Sequence, residues 1–145
     1  MEATDDFLTP EEEQSLINAI GVAEKNTSGE IRIHIEKRTN LDPLKRAIAV
    51  FNLLKMNATA DRNGVLLYVA VESKKFAIIG DKGIHKKVTA NFWDSEKDLV
   101  LSYFKKGNFS KGLELAVLDV GDKLKHFFPY KSDDINELDD QISKG

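Results

Sequence analysis

Asp61-Arg62-Asn63-Gly64 and Gly80-Asp81-Lys82-Gly83 bracket an apolar hairpin with carboxylates, an amide and glycines. Oxygen donors of this kind suit hard divalent cations. Calcium takes about six to eight oxygens in flexible geometry, whereas magnesium takes fewer protein ligands and keeps water. Asp61, Asn63 and Asp81 are therefore candidate ligands, for calcium before magnesium. Glu30, opening an alternating stretch, and Asp94, at a helical start, are further candidates. The same residues also suit ordinary turns, in which Asx side chains bond their own backbone and glycine supplies a positive φ. Asp81 equally suits a helix cap. Zinc fits less well, because there is no cysteine and His34, His85 and His126 lack helical ligand spacing.

Catalytic groups are few. His85 follows the acidic run by about one helical turn and is the candidate acid or base. Serine catalysis needs a base held by an orienting acid, and no local Ser–His pairing suggests one. At the other end of the hairpin, Glu36 to Asn40 and Glu72 to Lys74 form a mixed-charge rim, a lesser candidate for holding an anion.

The elements that position these residues are legible from periodicity. Thr9-Pro10-Glu11-Glu12 starts a helix with a capping box, and Leu16, Ile17, Ile20 and Ala23 share one face. "EIRIHIEK" alternates strictly, as a half-buried strand does. Asp42-Pro43 opens a second helix with an apolar face of Leu44, Ala47, Ile48, Phe51 and Leu54. "GVLLYVAV" reads as a central strand buried on both faces, and "KFAIIG" returns antiparallel to it. Asp94 or Ser95 caps a further helix, and Ser110 caps a long one ended by Pro129. Strand, helix, strand and hairpin predict a parallel pair with an antiparallel neighbour. That gives an α/β fold, a three-layer α/β/α sandwich with a small mixed sheet and helices on both faces. In this topology Glu30, Asp61, Asn63 and Asp81 gather at one sheet end, near Thr27 and Ser28.

The chain has 145 residues, 41% hydrophobic and 31% charged, with a net charge of -3. This predicts one domain over residues 1–130 and a polar acidic tail over 131–145, draped or disordered. The tail's "DDINELDD" lacks the register of an EF-hand loop. Without a basic excess the chain does not read as a nucleic-acid binder. No apolar run reaches the roughly 20 residues of a membrane span, and no signal peptide is visible, so the expectation is a cytoplasmic protein without membrane insertion.

"FLTPEEEQSLINAIGVAEKNTSGEIRIHIEKR", "RNGVLLYVAVESKKFAIIGDKGIHKKV" and "NFWD" together resemble the TPM domain family, over roughly Leu8 to Phe128. The resemblance implies an α/β/α sandwich and an acidic edge able to bind calcium or similar cations. Asp61, Asn63, Asp81 and Asp94 are the positions that match or adjoin that edge. It also implies a link to acid phosphatase activity, assigned to some plant members. Three functions follow as expectations: a cation-binding regulatory module, a metal-assisted phosphomonoesterase, and a protein-interaction domain without a metal site.

Overall fold

The computed structural model describes residues 7–130 and 142–144. The elements run α1 (Pro10–Glu24), β1 (Glu30–Glu36), α2 (Pro43–Leu53), β2 (Gly64–Ala70), β3 (Lys75–Gly80), α3 (Lys82–His85), α4 (Asp94–Lys105), α5 (Phe109–Phe127) and β4 (Ile142–Lys144). The sheet order is β3-β2-β1-β4. β1 is parallel to β2 and β4, and β2 is antiparallel to β3.

Thr9 accepts from the Glu12 backbone while Glu12 reaches back to Thr9 N–H, the reciprocal cap that the sequence predicts. Asp42 caps α2 through the N–H groups of Leu44 and Lys45. The α4 and α5 starts differ from expectation. Trp93 and Asn108 hold the cap positions without side-chain bonds, and Ser110 Oγ instead donates to Glu12 at 2.8 Å.

β2 is buried at every residue, as a strand covered on both faces must be. On one face Ile31, Ile33, Ile35, Val65, Leu67 and Val69 meet α1, α4 and α5. On the other, Leu66, Tyr68 and Ala70 meet α2. Each large apolar side chain withdrawn from water contributes about 1.5–3 kcal/mol, so these two cores hold the layers together.

Three expectations change. β1 is largely buried on its polar side as well, where His34 and Glu36 lie against Tyr68, Arg46 and Ser143. α2 buries Ala47, Val50 and Phe51 but leaves Leu44 and Ile48 49% and 48% exposed. Within the segment read as a tail, Ile142–Lys144 forms a strand on β1, with Ile142 buried. The tail's acidic run lies outside the described residues. No described helix is long and apolar enough to cross a membrane.

Candidate functional site

The register places Glu30 beside Gly64 and Val65 beside Gly80, so the starts of β1 and β2 and the end of β3 share one sheet end. Three segments cross there. Asn63 Nδ2 donates to Ser28 Oγ at 3.3 Å. Asp81 N–H donates to Gly64 O at 2.9 Å, and Gly83 N–H to Arg62 O at 2.8 Å. Ser28 N–H and the Thr27 hydroxyl both donate to Phe128 O, tying this entry to the end of α5.

The crossing is tight. A Cβ on Gly83 would lie 2.1 Å from Asp61 O and 2.7 Å from Arg62 O. The left-handed residue of the turn is Arg62, at φ 50°, rather than a glycine. Gly64 is instead the first residue of β2, where a Cβ would approach Met56 O to 3.0 Å.

Arg62 decides the electrostatics. Its Nε and Nη2 donate to Asp81 Oδ2 and Oδ1 at 2.7 and 3.0 Å. Asp81 is 6% exposed and also caps α3 by accepting from Lys82 N–H at 2.8 Å. The carboxylate raises the Arg62 pKa further, so the guanidinium stays charged. A bidentate fork of this kind is among the stronger charge-assisted contacts.

Asn63 shows a different state. It is 1% exposed, its N–H donates to Thr59 Oγ1, and its Oδ1 has no hydrogen-bond partner among the described residues. A buried carbonyl oxygen without a donor costs about 1–3 kcal/mol. The donor set thus fits a hard cation in part: it is all oxygen, with one acceptor, Asn63 Oδ1, orphaned. Against that, Arg62 already neutralises Asp81. No group of three or more His, Cys, Asp or Glu able to hold a metal occurs among the described residues. Glu30 is buried at the start of β1, whereas Asp61 and Asp94 are exposed. His85 is exposed at the end of α3 and lines the same groove as Asp81 and Asp94.

Two polar networks escaped the sequence reading. Under α2, Glu36 accepts from Arg46 Nε and Nη2, both at 2.9 Å, and from the Tyr68 hydroxyl. His34 joins it, with Nε2 3.2 Å from Glu36 and Nδ1 3.0 Å from Ser143 Oγ on β4. Burial pushes the Glu36 carboxyl up, but bonds from Arg46, Tyr68 and His34 outweigh it and bring the pKa down to about 2. Burial lowers His34 despite Glu36. The order Ser–His–Glu resembles a hydrolase relay, yet Glu36 also serves Arg46 and Tyr68 and His34 is buried; the bonds clasp β4. The second network joins α4 to α5. Lys123 Nζ donates to Glu96 Oε1 at 2.8 Å, and the Asp119 carboxyl lies beside that of Glu96. The hydrogen bond with Glu96 and burial push Asp119 up to about 6. The visible signals were a polar side of β1 in register with Tyr68, and Asp119 and Lys123 one turn apart on an apolar helix.

The opposite rim is solvated: Glu72 pairs with Lys37 at 3.6 Å and Arg38 at 3.4 Å, all partly exposed.

Comparison with protein families matches the TPM domain model over residues 2–123. The BA42 protein of the psychrophilic bacterium Bizionia argentinensis, solved by NMR, is 52% identical over 96% of both chains, with a TM-score of 0.90. An N-terminal domain from P. gingivalis is 13% identical over 84% of this chain and 79% of its own, with a TM-score of 0.69. The N-terminal domain of the cg2496 protein from Corynebacterium glutamicum is 12% identical over 80% and 73%, with a TM-score of 0.64. At such identities the last two speak for the fold alone. Comparison with curated proteins gives no match.

Proposed function

Because the chain belongs to the TPM domain family, we propose that it is a regulatory binding module whose crossed loops take a divalent cation, calcium before magnesium. The observation that carries this reading is the buried, unpartnered Asn63 Oδ1 at the crossing. Asp61 and Asp81 supply charge, and Glu30 and Asp94 are outlying candidates. Arg62 acts as the resident counter-charge on Asp81. A cation must displace or share it, so binding couples to a change in the 61–64 turn.

The test is an amide NMR titration of chelator-treated protein with calcium and then magnesium. Saturable shifts confined to residues 61–64 and 81–83 are expected. The double variant Asp61→Asn, Asp81→Asn should bind calcium at least tenfold more weakly, and Arg62→Gln should bind it more tightly. Calcium affinity unchanged in the double variant would sink the assignment.

A metal-assisted phosphomonoesterase is the second reading, favoured by His85 and Asp81 lining one groove. A bound cation there would polarise a phosphoryl oxygen, with His85 positioned to protonate the leaving group. Turnover of an aryl phosphate that disappears in Asp81→Asn would support it, and turnover that survives would refute it.

A further inference from the structure

β3 is the open margin of the sheet, paired on one side only. The bond from Asp81 N–H to Gly64 O sets the alternation along it, because every second residue of an antiparallel strand exchanges both bonds with its partner. Lys75, Ala77 and Ile79 therefore face β2. The backbone N–H and C=O groups of Phe76, Ile78 and Gly80 point away, and no described residue bonds them. A row of this kind is a template for another strand.

The margin lies in a groove of about 670 Å³, within the range of sites that hold ligands. α2 covers one face of the sheet and α4 the other, so both helices wall the groove. The α2 wall presents Leu44 and Ile48, about half exposed, and the α4 wall presents Trp93 and Lys97. At about 3.4 Å per residue, the six-residue floor matches an extended peptide of five or six residues.

The charges along the groove are not symmetric. Arg46 on α2 bonds Glu36, so α2 begins at the Lys75 end and places Asp42 there. Phe104, near the end of α4, meets the Phe76 ring edge to face, so α4 begins at the Gly80 end. That end carries Lys82 and Lys97 against Asp94, while the Arg62 charge is matched by Asp81.

We propose that this groove is a docking site for an extended peptide of another protein, which adds as a fifth strand beside β3. The peptide carries apolar side chains at alternate positions and a carboxylate at the Lys82–Lys97 end. Main-chain bonds give the affinity, and the Leu44–Ile48 wall reads the side chains. A second copy, which offers the same β3 margin, is the competing occupant. The proposal does not depend on a cation at the crossed loops.

A random seven-residue phage-displayed library selected on the full chain tests it. Expected are alternating apolar peptides with an acidic residue or free C-terminus at one end; amidated and free-acid versions separate those two sources. A synthetic winner should slow amide exchange at Phe76, Ile78 and Gly80 at least tenfold. N-methylation of its alternate backbone nitrogens should weaken binding at least tenfold. Ile48→Glu, at an exposed position, should do the same, and Lys97→Glu should reverse the preference for acid. No enrichment, binding that leaves those three amides unchanged, or protection of them that depends on protein concentration without peptide would each overturn the proposal, the last in favour of a second copy.

Discussion

Glu36 gathers Arg46, Tyr68 and His34 around one buried carboxylate, and this fixes how the protein responds to acid. Its pKa falls from 4.5 to about 2 on folding, so its stabilisation is complete above about pH 4.5 and is lost as pH falls toward 2. His34 acts in the same direction: the unfolded chain takes a proton near 6.5 that the folded chain resists. Glu36→Gln should therefore lower stability by about 2–3 kcal/mol at pH 7 and flatten the loss of stability below pH 4.5, measured by urea unfolding across pH. None of this was readable from the alternation of β1, which gives two faces but not which side chains meet on the polar one. The crossed loops were more legible, because their polar runs sit at fixed distances from a hairpin. The Arg62–Asp81 fork was not, since it depends on Arg62 adopting a positive φ.

Elements meet through contacts that single substitutions can probe. Gly83 allows the α3 entry to pass the 61–62 carbonyls, so Gly83→Ala must push one segment aside. We expect a loss of at least about 2 kcal/mol in thermal or urea unfolding, together with amide shifts through residues 61–64. Between α4 and α5, Asp119 retains a proton up to about pH 6, against 3.8 ordinarily. A raised carboxyl stabilises the fold below its unfolded pKa, and that contribution fades as pH rises through 6. Asp119→Asn can donate to Glu96 at every pH. It should remove the stability decline between about pH 4 and 6 and gain about 1–2 kcal/mol at pH 7, discounted for the partial exposure of Asp119. Helix starts rich in Thr-Pro and Asp-Pro were readable by eye because capping is local. The exposure of Leu44 and Ile48 was not, because it follows from β3 being a margin with nothing beyond it.

For the whole molecule, a cation that binds only the folded form must raise its melting temperature. At calcium about a hundredfold above its dissociation constant the gain is about 2.7 kcal/mol, or roughly 5–10 °C for a domain of this size. Scanning calorimetry with calcium and with chelator reads it directly, and equal transitions would contradict the site. The layered fold was legible because a strand apolar at every position requires cover on both faces. β4 was not, because its short polar sequence gains its place only by pairing with β1. That pairing joins Ser143 to His34, 109 residues earlier in the chain. During synthesis, then, β1 leaves the ribosome with one flank that nothing yet made can satisfy. The nascent sheet must wait, its middle strand still an edge, until a much later segment arrives to shield it from neighbouring chains.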